Sequence, residues 1–445
     1  MTVKTITELL YAKKYAQIKK ELNEMNSVDL AELLEQFSQE SMVILFRLIA
    51  KETAAEVFTN MNTERQQALI STFTEKELKD IFEDMFMDDT VDILEEMPAN
   101  VVERILDVTD KETRSRINEL LQYPQDSAGS IMTTEYVDLK KTMTVREAIA
   151  KIKRVGIDQE TIYTCYVIEN KKLLGIVTAK SLLLNEENVR IGDLMETHVI
   201  SVRTHDDQEE VSKLFQKYRL ISIPVVDTEN CMVGIVTFDD AMEVYQEEMA
   251  EDIALMAAVQ PSDDSYFGTS VFNHAKHRIL WLLFLMLSAT ITGTIISRYE
   301  ETISAIPLLV SFIPMLMDTG GNSGSQASVT IIRGLSLHEI EMRDIGRILW
   351  KESRVGLLTG ATLAVVNFGK IMLVDRMLLG NTSITMAVAA VVCVTLVATV
   401  FLAKLVGCSL PILAKRIGFD PAVMASPFIT TIVDAISLLI YFQFA

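Results

Sequence analysis

The chain has few of the residues that cross-link proteins or bind transition metals. Its 445 residues include four cysteines and five histidines. The cysteines are scattered and form no CxxC pair, so the sequence indicates neither a disulfide framework nor a thiolate metal site. A P-loop, a nucleophile elbow and an HExxH motif are missing too, so we expect no enzymatic activity.

Basic residues are scarce in the first part of the chain. Residues 1–270 hold 28 Lys and Arg against 51 Asp and Glu, a net charge of −23, whereas residues 271–445 hold 13 against 10. Because a surface this acidic repels phosphate, we expect no nucleic acid as a partner. The N-terminus also lacks a long apolar core, so we expect no cleavable signal peptide and a cytoplasmic front half.

Long uncharged runs distinguish the second part. Leu378–Ala403 has no charge over 26 residues, and about 20 are enough to cross a bilayer. Five spans are predicted, the fourth interrupted by Lys404 and Pro411, near Ile279–Ile296, Thr302–Ile332, Val355–Val374, Leu378–Leu413 and Pro421–Phe444. Lys and Arg are unevenly distributed between the segments on the two sides of these spans. This asymmetry predicts a multi-pass protein of the cell membrane, with its N-terminus cytoplasmic and its C-terminus outside. Five spans are few for a pore within one chain, so we expect a homodimer surrounded by membrane lipid.

A glycine-rich segment, Asp318–Gln326, lies within the second predicted span. Its three glycines should weaken or bend a helix. Irregular backbone at membrane depth is tolerated where it is buried in protein or lines a watery cavity. Close helix packing through small residues is the other interpretation, and the two can both hold.

An acidic residue, Asp434, lies near the middle of the fifth predicted span, and no basic residue of that span is near it. An ionised carboxylate at the bilayer centre costs at least about 2.5 kcal/mol, so it needs water or a cation unless it is protonated or paired with a polar group. The predicted spans contain no histidine, and oxygen ligands favour Mg²⁺ or Ca²⁺. One carboxylate per chain, flanked by the hydroxyls of Thr430 and Thr431, suits a largely hydrated Mg²⁺ better than Ca²⁺.

Residues 131–250 contain an internal repeat. Leu173-Leu-Gly-Ile-Val-Thr matches Met232-Val-Gly-Ile-Val-Thr, and each copy has a predicted helix, Val145–Val155 or Gln208–Tyr218. Strands and helices alternate at short spacing, which predicts two small α/β modules. The repeat resembles a tandem cystathionine-β-synthase (CBS) domain pair. Such pairs commonly sense ligands, often adenine nucleotides, so ATP is a candidate regulatory ligand.

Residues 1–125 show apolar residues at helical spacing and a short recurring unit that starts at Glu56, Asp80 and Asp92, which predicts a superhelical stack of short helices. A further acidic helix is predicted at Asp239–Asp252, with four carboxylates on one face: Asp240, Glu243, Glu247 and Glu251. A solvated charged face is the simpler interpretation. A metal-bridged interface is favoured because this helix leads to a candidate divalent-cation site.

The predicted fold is multi-domain: an all-α superhelical N-terminal domain, an α/β tandem CBS pair and an all-α transmembrane domain of five helices. The boundaries are predicted at 1–128 for the acidic helical domain, 129–192 and 193–245 for the CBS domains, 246–272 for a connecting helix and 273–445 for the transmembrane domain.

Together these features resemble the MgtE family of magnesium transporters and channels over nearly the whole chain. The motifs that carry the resemblance are Gly320-Gly-Asn-Ser-Gly-Ser-Gln, Phe419-Asp-Pro-Ala-Val-Met-Ala-Ser-Pro and Thr431-Ile-Val-Asp. The resemblance implies a homodimer that takes up Mg²⁺ through a pore lined by the second and fifth spans. It also implies closure of that pore by cytosolic Mg²⁺, with the connecting helix as a plug.

The resemblance implies a role for particular residues. At the pore, Asp434 is the selectivity carboxylate, and Asn322, Thr430 and Asp420 lie along the ion path. The regulatory Mg²⁺ ligands are carboxylates of three segments: Glu56, Asp88 and Asp92 in the helical domain, Asp207 and Glu209 in the second CBS repeat, and Asp240, Glu243, Glu248, Glu251 and Asp252 on the connecting helix. Arg219 departs from the family pattern, which has an acidic residue there.

Two other functions remain compatible with the sequence. An ion-coupled carrier or exporter of divalent cations (Mg²⁺, Co²⁺ or Mn²⁺) would depend on a counter-ion gradient. A CBS sensor that is anchored in the membrane and transports nothing would leave the cost of Asp434 unexplained.

Overall fold

A computed structural model describes residues 3–262, 266–267, 269–337, 339–381, 383–424 and 426–444. The chain divides into two compact units, Met1–Gln246 and Glu247–Ala445, and each is described by itself.

The first unit begins with a stack of ten short helices in residues 3–120. Asn26, Asn62, Thr74 and Asp110 accept hydrogen bonds from backbone N–H groups in the first turns of four of them, as good N-caps do. The alternating helices pack through one apolar core. The helices are α1 (Val3–Tyr11), α2 (Tyr15–Leu22), α3 (Ser27–Glu35), α4 (Gln39–Phe46), α5 (Lys51–Thr59), α6 (Thr63–Thr72), α7 (Glu75–Phe82), α8 (Met87–Glu96), α9 (Ala99–Val108) and α10 (Lys111–Leu120).

Two α/β modules follow and share one topology. In each, the first strand pairs parallel with the second, and the second pairs antiparallel with the third. This confirms the predicted repeat, and helices α11 and α14 have the predicted bounds. The elements are β1 (Tyr136–Leu139), α11 (Val145–Val155), β2 (Thr161–Glu169), β3 (Lys172–Thr178), α12 (Ala179–Leu184), α13 (Ile191–Leu194), β4 (Val202–Arg203), α14 (Gln208–Tyr218), β5 (Ser222–Val226), β6 (Met232–Thr237) and α15 (Phe238–Met256).

The second unit is built from long apolar helices. Four helical segments of its described part are long and apolar enough to span a membrane: Val271–Arg298, Met342–Leu378, Met386–Arg416 and Pro421–Phe444. The second predicted span, Thr302–Ile332, remains a prediction, because its helix Ile313–Ser336 is long but rich in small polar residues. The helices are α16 (Val271–Arg298), α17 (Glu300–Ala305), α18 (Ile313–Ser336), α19 (Ile345–Lys370), α20 (Met386–Arg416) and α21 (Ser426–Phe444).

Two expectations about these helices are wrong. The fourth span does not begin at Leu378, because a turn with Gly380 at φ +67° separates α20 from the preceding π-helical segment. Lys404 and Pro411 do not interrupt α20, which is continuous to Arg416 with both residues buried. Packing against neighbouring helices therefore outweighs the hydrogen bond that Pro411 cannot donate.

Candidate cation sites

Three parts of the first unit bring carboxylates together. The first turn of α8 supplies Asp88 and Asp89, the residue before β2 is Glu160, and the first turn of α15 supplies Asp239 and Asp240. Helix α8 is fixed in this position because its apolar face, with Met87, Val91, Ile93 and Leu94, is buried in the core. Residues far apart in sequence thus form one acidic cluster, which we define as Asp88, Asp89, Asp92, Glu160, Asp239 and Asp240.

The cluster is acidic without compensation. Among the residues that the structure describes, no Lys or Arg forms an ion pair with a member of the cluster. Burial, followed by the charge of Asp240, raises the pKa of Asp89 to about 7 and that of Asp92 to about 8. Asp88 is 5% exposed, and burial together with Asp240 and Asp89 places its pKa well above the usual range. Ionisation of the buried members of the cluster is therefore costly unless a cation neutralises them or the carboxylates move apart.

Glu160 and Asp240 lie on the CBS side of the cluster. Burial, and then the charges of Asp240 and Asp239, raises the pKa of Glu160 to about 8, and its buried Oε2 has no hydrogen-bond partner. Burial also raises the pKa of Asp240 to about 6, although hydrogen bonds from Thr237 oppose the change. The Thr237 hydroxyl lies 2.5 Å from both Asp239 and Asp240. Since one hydroxyl has one proton, it cannot donate to both carboxylates at once.

The other predicted regulatory residues lie elsewhere. Asp207 is the N-cap of α14 and accepts from the N–H groups of Glu209 and Glu210. Glu209 forms a 2.7 Å ion pair with Lys213. Glu56 is exposed on α5, and Glu243 is exposed on α15, where its charge acts on Asp89 and Asp92. Glu248, Glu251 and Asp252 are on the second half of α15, which belongs to the second unit. Arg219 follows α14 in a left-handed conformation, φ 55°.

Direct coordination by several side chains is not seen in the described residues. No three Asp, Glu, His or Cys side chains converge closely enough there to hold a metal ion. The cluster instead offers spaced carboxylate oxygens and one orphaned Oε2. That donor set fits an ion such as Mg²⁺, which keeps much of its water and needs few direct carboxylate contacts.

In the second unit the glycine-rich segment is helical. Residues 318–326 lie within the continuous helix α18, so the glycines do not interrupt the helix and the close-packing interpretation is confirmed. A Cβ on Gly321 would lie 2.9 Å from Thr430, and one on Gly324 would lie 2.7 Å from Ile429. On α20, a Cβ on Gly407 would overlap the carbonyl oxygen of Gly324. The close contact of α18 with α20 and α21 therefore offsets the low helix propensity of glycine.

The predicted pore residues lie on α18, on α21 and just before α21. Asp434 is half-buried on α21, one turn after Thr430, whose hydroxyl donates to the carbonyl of Pro427. Asn322 is exposed on α18, on the side opposite the packed glycines. Asp420 is exposed and accepts from the N–H of Ala422, 2.6 Å away. Ala425, part of the second quoted motif, is outside the described residues.

Sequence reasoning missed three members of the cluster. Asp89 and Asp239 are adjacent in sequence to the predicted residues Asp88 and Asp240. Including both members of each Asp-Asp pair would have found them. Glu160 is a single glutamate before a strand, and only the fold brings it near α8. Asp318 begins the glycine-rich segment and receives no role from the sequence, yet it interacts electrostatically with Asp434.

A domain of long apolar helices joined to a CBS pair and an acidic helical stack is the architecture of a regulated membrane transport protein. Family models agree with this: a divalent cation transporter model matches residues 313–444, an MgtE intracellular N domain model matches 25–126, and CBS models match 128–186 and 191–247. The chain belongs to the MgtE family, and it is a multi-pass membrane protein.

Individual relatives match over almost the whole chain. The magnesium transporter MgtE of Thermus thermophilus is 35% identical, covering 95% of this chain and 93% of its own. The Bacillus subtilis magnesium transporter MgtE is 32% identical, covering 98% and 95%. Among solved structures, the cytosolic domain of the Mg²⁺ channel MgtE in complex with ATP is similar at 33% identity and a TM-score of 0.52, covering 55% of this chain and all of that one.

Proposed function

We propose that this protein is a homodimeric channel for Mg²⁺ uptake across the cell membrane and that cytosolic Mg²⁺ closes it. The observation that carries the proposal is Asp434, a carboxylate within an apolar helix that packs tightly against the glycine-rich helix α18. No described Lys or Arg pairs with it. The magnesium transporters named above are relatives over more than nine-tenths of their length.

The ion path follows the exposed face of α18 and the adjoining face of α21. Asp434 from each of two chains would attract a hydrated Mg²⁺, and Asn322 and Thr430 would contact its water. Asp420 lies at the cytoplasmic mouth, if the N-terminus is cytoplasmic and the C-terminus outside. Since polar side chains are costly against lipid, the exposed Asn322 favours a second copy and water over lipid at this face.

Regulation is assigned to the acidic cluster. Without Mg²⁺ its carboxylates repel one another, and two unit charges about 4 Å apart interact by about 4 kcal/mol at an effective dielectric constant near 20. A shift of the gate from mostly open to mostly closed requires about 5.5 kcal/mol. Neutralisation of several such carboxylate pairs by Mg²⁺ would supply that energy. The proposed ligands are the cluster and the further carboxylates Glu56, Asp207, Glu209, Glu243, Glu248, Glu251 and Asp252.

The domain boundaries given above and ATP binding to the CBS pair belong to the same proposal. The solved cytosolic domain in complex with ATP supports ATP as the ligand. ATP would act as a second regulatory input, separate from the carboxylates that hold Mg²⁺.

The proposal is tested by Mg²⁺ influx into liposomes that contain the purified protein. We expect Asp434→Ala to abolish influx while the protein still purifies as the same oligomer. Selective Mg²⁺ influx in that variant would contradict the proposal. Influx that requires a counter-ion gradient would identify a carrier instead.

The regulatory part has its own test. We expect chelation of Mg²⁺ to speed protease cleavage of the first unit in the full-length protein, because the repelling carboxylates separate. Equal cleavage with and without Mg²⁺ would refute closure by metal.

A further inference from the structure

Asp318 lies opposite Asp434, and the register of two packed helices places it there. Gly320 of α18 faces Ser437 of α21, whereas Gly324 faces Ile429, so the two helices run antiparallel. Gly321 faces Thr430. Moving four residues forward from Thr430 on α21 reaches Asp434, and moving one turn back from Gly321 on α18 reaches Asp318.

The charge of Asp318 has no other described partner. The charge of Asp318 acts on Asp434, and no described Lys or Arg forms an ion pair with Asp318. Asp318 is exposed, and so are Asn322 and Gln326, each four residues further along α18. The opposite face of α18, with Gly320, Gly321 and Gly324, is buried. A polar stripe on one face of a membrane helix, opposite a packed face, indicates water rather than lipid along the stripe.

We infer that Asp318 is a second acidic residue of the ion path, which draws hydrated divalent cations to Asp434. The inference rests on the proposed Mg²⁺ transport and extends it from one carboxylate per chain to two. Asp318 lies near the N-terminal end of α18, so in the proposed orientation a cation entering from outside meets this pair before it meets Asn322 and Thr430. Electrostatic attraction grows with ionic charge, so the second carboxylate favours divalent over monovalent cations.

The magnitude follows from the charges. A carboxylate and a divalent cation about 6 Å apart in watery surroundings attract each other enough to change affinity about tenfold. We therefore expect Asp318→Asn, in the full-length protein in liposomes, to raise the external Mg²⁺ concentration that gives half-maximal influx about tenfold. Maximal influx should stay within about threefold of the wild type, because Asp434 remains.

Matched variants separate charge from packing. Asp318→Glu keeps the charge and should restore the wild-type concentration dependence. Glu301→Gln removes an exposed carboxylate from α17 and should change nothing. Asp318→Ser is the second neutral variant should Asp318→Asn fail to give the wild-type oligomer in size-exclusion chromatography.

Three results would overturn the inference. The first is a neutral variant with the same half-maximal concentration as the wild type, while Asp434→Ala is inactive. The second is a glutamate variant as impaired as the neutral one, because the effect would then come from packing. The third is a wild type without Mg²⁺ influx, which refutes the proposed function first and this extension with it.

Discussion

Removing one carboxylate from the acidic cluster should stabilise the first unit at high pH. Glu160 is the informative residue, because its buried Oε2 lacks a partner and its pKa is raised from 4.5 to about 8. In the unfolded chain the group ionises near its ordinary pKa. The stability that the folded unit gains by keeping Glu160 protonated is therefore fully present below about pH 4.5 and is lost as the pH rises through about 8.

The size of the effect follows from that pKa. At about 1.4 kcal/mol per pKa unit, a rise from 4.5 to about 8 corresponds to about 5 kcal/mol for a fully desolvated group. Glu160 is only partly buried, and solvent screening reduces the figure to about 2 kcal/mol. For a unit of this size, about 2 kcal/mol moves Tm by about 4–8 °C.

The assay is thermal unfolding of a fragment of residues 1–246, which form one compact unit, in EDTA. Relative to the wild type, Glu160→Gln should raise Tm by about 4–8 °C at pH 9 and by almost nothing at pH 4.5. Glu229→Gln, which removes an exposed carboxylate of the same unit, should change Tm little at either pH. Mg²⁺ at pH 9 should raise the Tm of the wild type more than that of Glu160→Gln. A wild-type Tm that stays level or rises from pH 5 to pH 9 in EDTA would refute the reasoning.

Two further substitutions test the packing and capping described above. Gly407→Ala should prevent assembly of the second unit, because the new Cβ overlaps the Gly324 carbonyl. Gly369→Ala is the control, because no atom lies within 4 Å of its new Cβ and the substitution should be tolerated. The yield of protein that is stable in detergent measures both variants, and equal yields would contradict the described packing. Asp207→Ala should lower the unfolding free energy of the fragment by about 1 kcal/mol, because it removes the N-cap of α14. Asp207→Asn should keep the cap and the stability. A loss of stability in the Asn variant would show that the charge of Asp207 matters instead.

Local sequence signals predicted the CBS pair well. Helices α11 and α14 begin where Thr144 and Asp207 cap them, and the repeated Gly-Ile-Val-Thr lies in strands β3 and β6 of the two sheets. Both signals act over a few residues, so no knowledge of the tertiary structure was needed.

Tertiary contacts explain what the sequence did not reveal. Propensity predicted a bend at the glycines of α18, but their helical state depends on helices α20 and α21, which begin more than 60 residues later. Hydropathy placed the start of α20 at Leu378, although the chain turns at Gly380. Glu160 joins the acidic cluster only because the fold brings a CBS strand beside α8. The roles of the proposed ligand residues stay predictions.

Helix α15 belongs to both units: Asp240 is in its first turn and Glu248 lies beyond the unit boundary at Gln246. Its 19 residues make a rod about 28 Å long at about 1.5 Å per residue. Tilting such a rod by about 10° about the end that holds Asp240 moves its opposite end by about 5 Å, close to one helical turn. A small rotation of α15 where Asp240 meets the carboxylates of α8 therefore becomes a displacement of several ångströms at the other end of the same helix.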